Sequence, residues 1–158
     1  MGKKQEKTNA MRIMDRARVE YEIHDYTHTS AIAGGDVASV LGEDPAQVFK
    51  TLVTVGKSGQ YYVFLVPVCC ELNLKKAASA VNEKNIEMIK AKDLLPLTGY
   101  IHGGCSPVGM KKAFPTVIDV TAKGFEKIFF SAGKIGLQAE IKLCDVEKVI
   151  KYTLADIT

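Results

Sequence analysis

At 158 residues and 47% hydrophobic content the chain can bury one core and is too short for two comfortable ones, so a single domain over 1–158 is expected, with about residues 1–8 disordered. The longest apolar run, Tyr61 to Cys70, falls far short of the roughly 20 residues of a spanning helix, and the charged start "MGKKQEKTNAMR" lacks a following apolar stretch and cleavage site. Neither a spanning helix nor a signal peptide is expected, and a cytoplasmic protein is; the net charge of +3 permits contact with a polyanion without predicting it, and four cysteines at 69, 70, 105 and 144 suit reduced thiols better than a disulfide framework.

In chain order, Thr8 is placed to cap a helix whose apolar positions Met11, Met14 and Ala17 recur at helical spacing. "VEYEIHDY" then changes to a period of two, Tyr21, Ile23 and Asp25 opposing Glu22, His24 and Tyr26, which predicts a strand. A helix over Asp36 to Leu41 should stop at Gly42, and Asp44-Pro45 reads as an N-cap with proline at the first position of another helix. "VFKTLVTV", "KSGQ" and "YYVFLVPV" spell strand, tight turn, strand. Asn73 should cap a helix burying Leu74, Ala77, Ala78 and Val81, and "KDLLPL" a short helical turn. "TVIDV", "KIFFSA" and "GLQAEIKL" are β candidates, and Asp145 is expected to open a last helix through "VEKVIKYTL". Strands interspersed irregularly with helices, without an internal repeat or linker, predict a mixed-sheet α/β or α+β domain.

Lys50 stands in an otherwise apolar, β-branched strand, where a buried ammonium needs a partner or a ligand; on a solvated face its stem would simply lie on apolar neighbours with its head in water. "YIHGGCSPVGMKK", Tyr100 to Lys112, allows close backbone approach at Gly103-Gly104, and successive amides there can form an anion nest; Pro107 biases Ser106 towards an extended conformation. An ordinary loop has the same composition. "SAGKIG", with Gly133 and Gly136 flanking Lys134, reads equally as a hairpin turn. No metal is expected: His24 and His28 lie on an extended stretch, no C-x-x-C or H-E-x-x-H occurs, and Cys69-Cys70 is more simply core. Cys105 and Ser106 invite a nucleophile, yet no G-x-S-x-G surrounds them, and Rossmann and Walker A fingerprints are missing.

Taken in order, "QVFKTLV", "PLTGYIHGGCSPVGMKK", "TVIDV" and "IFFSAGKIGLQ" resemble the YbaK/EbsC family over nearly the whole chain from about Arg16. These are free-standing aminoacyl-tRNA editing proteins related to the editing domain of bacterial prolyl-tRNA synthetases. The resemblance implies a mixed, partly barrel-like β-sheet surrounded by helices and, as activity, hydrolysis of misacylated tRNA, typically Cys-tRNA(Pro). It implies no cofactor, with the aminoacyl-tRNA acceptor end as partner and prolyl-tRNA synthetase in a transient complex. Lys50 matches the family's required lysine and Thr51 its pocket neighbour. Gly103 and Gly104 match the glycine loop at the reacting ester, completed by Ser106 and Pro107. Tyr26 and Ser131 match further pocket positions, and Gly133 and Gln138 are expected to join them in binding substrate.

In two places the chain departs from relatives: "SAIAGGD" has no aromatic residue after the tyrosine, and Gln138 stands where some carry an acid. Backbone amides of Gly103 and Gly104 would stabilise an oxyanion and Lys50 would supply charge. The thiol of the substrate would attack its own carbonyl. Deacylation of another small aminoacyl-tRNA such as Ala-tRNA(Pro), and a non-catalytic module binding tRNA ends or nucleotides, are the alternatives.

Overall fold

The computed structural model describes residues 6–158, so the disorder expected for 1–8 falls mostly outside the described residues. Lys7 pairs with Asp15, and the Thr8 hydroxyl accepts from the Met11 amide at 3.1 Å and donates to the Ala132 carbonyl at 2.5 Å. Thr8 thus caps α1 (Asn9–Arg16) and ties it to β6 (Lys127–Lys134). Ala10, Met11 and Met14 are the buried face of that helix.

Two sheets form the frame. β1 (Tyr21–Asp25), β7 (Leu137–Lys142) and β6 make an antiparallel sheet in the order β1-β7-β6. The larger sheet runs β4-β2-β3-β5-β8, from β4 (Ile86–Met88) and β2 (Phe49–Gly56) through β3 (Tyr61–Pro67) to β5 (Thr116–Asp119) and β8 (Thr153–Ala155). β2 and β3 are the hairpin that the alternation predicts, with Lys50 opposite Val66. β5 joins β3 in parallel, so the sheet is mixed. The sheets meet at a parallel bridge between Val48 and Phe129, where the Gln47 side chain also donates to the Lys127 carbonyl at 2.8 Å. This seam curls the molecule without closing a barrel.

Strand β3 shows how the sequence divides the interior. Val63 and Leu65 enter a core shared with Met14, Ile118, Ile128 and Phe130, while Phe64 and Val66 enter a second with Ala77, Ile86, Val117 and Ile157. A strand covered on both faces reads as an unbroken apolar run because its period of two feeds two different cores.

Four expectations are corrected. Asp44-Pro45 opens no helix: Asp44 accepts from the Ala46 amide through its side chain and from Gln47 through its carbonyl, both at 2.9 Å, and this turn feeds β2 directly. The last helix is short, α5 (Leu143–Val146), and the segment beyond it becomes β8 because β5 offers an unpaired edge to Thr153–Ala155. Leu74 begins α3 (Leu74–Ala80) but is 42% exposed, and Cys69 and Cys70 lie in the turn after β3, with Cys69 exposed rather than core. The "KDLLPL" turn extends to α4 (Ala91–Thr98), and α2 (Gly34–Leu41) ends at Gly42 as expected. No helix among the described residues is long and apolar enough to cross a membrane.

Candidate active site

A cavity of about 790 Å³ opens where the two sheets meet. Its floor is the start of β2, Val48 to Val53; the β6–β7 sheet contributes Phe130, Ser131 and Gln138. Tyr26, the helix α2, the start of α4 and the loop carrying His102, Gly103 and Cys105 close the sides. The cavity therefore gathers Tyr26, Lys50, Thr51, Gly103, Ser131 and Gln138 from four separate stretches of chain. In the segment after Tyr26, where no aromatic residue stands, the wall is Ile32 and Ala33. A shallower depression of about 630 Å³ between α3, β5 and the C-terminal segment contains none of these residues.

Lys50 lines the cavity with its side chain 26% exposed, and its Nζ lies 3.4 Å from a carboxylate oxygen of Glu71. Glu71 is 93% exposed, so solvent screens this pair. Two buried polar atoms have no hydrogen-bond partner among the described residues, Thr51 Oγ1 and Gln138 Oε1, and both residues line this cavity. An orphaned buried acceptor or hydroxyl costs about 1–3 kcal/mol. A ligand that supplies the missing partners recovers that cost on binding.

Gly104, Ser106, Pro107 and Gly133 do not line the cavity. Gly104 is buried, and a Cβ on it would stand 2.8 Å from the Ile135 backbone nitrogen, so the absence of a side chain lets the loop lie flat on the β6–β7 turn. Its N–H donates to the Ile101 carbonyl at 3.0 Å, whereas that of Gly103 has no acceptor among the described residues. Ser106 is fully buried and its Oγ accepts from the Val108 amide at 3.2 Å. Gly133 is packed against the Tyr100 ring, where a Cβ would approach Cε1 to 2.9 Å. These residues shape the loop and fix its height over the sheet.

The candidate nucleophiles are not activated. Burial pushes the Cys105 thiol up to about 12, so it stays protonated at neutral pH. The Ser131 hydroxyl accepts from the Gly133 amide at 3.2 Å, and among the described residues neither it nor Ser30 bonds to His102. The residues most able to hold a metal are Glu22, His24 and Glu140, whose ligand atoms lie within 4.8 Å of one another. There His24 Nε2 is 2.9 Å from Glu140 Oε1 and Lys127 Nζ is 3.5 Å from Oε2, so Glu140 already has a cation at its second oxygen. Sequence reasoning missed Glu43, which accepts from Gln138 Nε2 at 2.8 Å across 95 positions of chain; no local pattern announces that contact.

A deep cavity with fixed hydrogen-bonding groups, a lysine and no activated nucleophile fits a ligand that is already reactive, as an aminoacyl ester is. Residues 28–149 match the family model of the aminoacyl-tRNA editing domain. The chain belongs to that family and is an aminoacyl-tRNA deacylase. It is 41% identical over 99% of its length, and 96% of the relative's, to a protein of Enterococcus faecalis provisionally named Cys-tRNA(Pro)/Cys-tRNA(Cys) deacylase EbsC. Over 58% of the chain it is 33% identical to a segment covering 16% of a proline–tRNA ligase from Fervidobacterium nodosum. The same fold occurs in a crystal structure provisionally described as a trans-editing enzyme for prolyl tRNA synthetase (TM-score 0.83, 22% identity, 98% of this chain and 99% of that one). It also occurs in the hypothetical protein APE2540 (TM-score 0.86, 18% identity, 95% and 99%).

Proposed function

We propose that the protein is a free-standing cytoplasmic editing enzyme that clears Cys-tRNA(Pro) by making the substrate's own thiol the nucleophile. The observation that carries this is the cavity itself: Lys50, Thr51, Gly103, Ser131, Tyr26 and Gln138 converge on it, and its one thiol, Cys105, is held protonated by burial. The ester joining an amino acid to the ribose is activated already, so the enzyme has to orient it and stabilise charge. The Gly103 amide is the loop donor left over for the oxyanion, Gly104 supplying the close approach that positions it. Lys50 contributes positive charge beside the ester, and Thr51, Tyr26 and Ser131 surround the aminoacyl end.

In the reaction a bond forms between the cysteinyl sulfur and its carbonyl carbon while the bond from that carbon to the ribose oxygen breaks. The thiol proton leaves to solvent, and the ribose oxygen regains a proton from it. The products are free tRNA and a four-membered thiolactone that water opens to cysteine. A small domain reading only the acceptor end selects tRNA poorly, and delivery of tRNA(Pro) in a transient complex with prolyl-tRNA synthetase supplies that selectivity. The likeness to part of a proline–tRNA ligase supports this partner.

Deacylation of a panel of aminoacyl-tRNAs, with and without the synthetase, tests the proposal. Wild-type protein should clear Cys-tRNA(Pro). Lys50→Ala should lose at least about 10²-fold in kcat/KM with its fold intact, and Lys50→Arg should not restore it, since a guanidinium fork does not fit an ammonium's space. Wild-type turnover by Lys50→Ala would overturn the assignment.

A further inference from the structure

Glu43 stands where the backbone is fixed on both sides. Gly42 ends α2 with φ +67°, the left-handed conformation that glycine adopts without strain, and the amides of Gly42 and Glu43 return to Ser39 at 3.2 Å and Ala38 at 2.9 Å. This Schellman closure sets the direction of the Glu43 side chain, which crosses to β7 and meets Gln138 Nε2 at 2.8 Å. A carboxylate only accepts hydrogen bonds, so it takes the amide's nitrogen end and refuses the oxygen end. Gln138 is 3% exposed and lines the cavity, and its Oε1 is one of the two orphaned buried atoms. The carboxylate thereby decides which end of the amide is left for a ligand.

We propose that Glu43 is a positioning residue that holds the Gln138 carbonyl as an acceptor for the α-ammonium of the aminoacyl ester. The inference rests on the deacylase function proposed above and names the substrate group that this corner of the site reads. The charge behind the amide favours a cationic donor over a neutral hydroxyl. Glu43 lies directly beyond it and Glu140 next along β7, with His24 and Lys127 facing Glu140 from the neighbouring strands. The rival ammonium partner is Asp36, an exposed carboxylate on α2 that also lines the cavity.

The experiment compares each aminoacyl-tRNA with the ester that lacks only its amine: cysteinyl with 3-mercaptopropionyl, alanyl with propionyl. The quantity read is the ratio of the two kcat/KM values. Wild-type protein should prefer the amine-bearing ester about ten-fold or more, the size of one charge-assisted hydrogen bond. Glu43→Ala and Gln138→Ala should each bring the ratio to within about two-fold of unity, and the double variant should lower it no further, because the two act as one unit. Glu43→Gln, which keeps the volume but offers both a donor and an acceptor, should fall between. Rescue of the ratio by a side chain of equal size but without the fixed polarity, or a ratio kept in Glu43→Ala, would overturn the role of Glu43. A ratio lost in Asp36→Ala and kept in Gln138→Ala would move the ammonium to Asp36 and overturn it as well. Absence of turnover by wild-type protein on every ester would strike the deacylase function itself, whereas turnover with an unchanged ratio strikes only this inference.

Discussion

The Lys50 ammonium has a carboxylate beside it that is almost wholly in water, and this decides what each partner does. If Lys50 meets the substrate as proposed, Glu71 is a screened competitor, so Glu71→Ala should leave thermal stability unchanged and kcat/KM for Cys-tRNA equal or higher; a fall comparable to that of Lys50→Ala would make Glu71 part of the site. Glu43 adds a pH dependence. Burial raises its carboxyl above the ordinary range, the Gln138 bond and His24 oppose that shift, and Glu140 adds to it. Below the raised value Glu43 is protonated and can donate to the amide oxygen, releasing the fixed orientation. KM for the cysteinyl ester should therefore rise as pH falls through that value, and the acid limb should vanish in Glu43→Gln. Thiol chemistry gives a third check at this scale. Cys69 and Cys144 are exposed while Cys105 is buried in the cavity wall, so a thiol reagent should modify the first two in the native protein much faster than Cys105.

Among the elements, β8 has the most specific support. Asp119, fully buried at the end of β5, accepts from the Ile157 amide at 3.0 Å and from the Thr121 hydroxyl at 2.5 Å, tying the C-terminal segment to the sheet. Asp119→Ala should cost about 1–3 kcal/mol in urea unfolding and speed amide exchange across 153–157 more than elsewhere; uniform exchange would contradict that local tie. The same element shows where sequence reading fails. "VEKVIKYTL" has apolar positions at helical spacing, yet Thr153–Ala155 takes the open edge of β5, a long-range opportunity that local periodicity does not encode. β4, at three residues, is too short to display alternation. The β2–β3 hairpin and the caps at Thr8 and Asn73 were legible because each rests on contacts within a few residues. At the site, Lys50 stood out as a charge in an apolar strand, whereas Glu43 enters only through its contact with Gln138. A glycine motif reads alike whether it lines a cavity, as Gly103 does, or spaces two backbones, as Gly104 does.

For the whole molecule, two sheets joined at the Val48–Phe129 seam leave a cavity whose walls come from elements far apart in sequence, so its geometry depends on the fold as a unit. In the proposed mechanism a site assembled in this way orients a reactive ester and lets the ester supply its own nucleophile. Cysteinyl and seryl esters differ by one atom, sulfur against oxygen, and occupy nearly the same space. The most direct measurement is therefore single-turnover deacylation of Cys-tRNA(Pro) and Ser-tRNA(Pro) by the wild-type protein, with the released amino-acid product trapped and identified. The substrate-thiol mechanism predicts rapid loss of the cysteinyl ester through a thiolactone and persistence of the seryl ester. Equal rates for the two, with free amino acid as the first product, would contradict it and assign the attack to water.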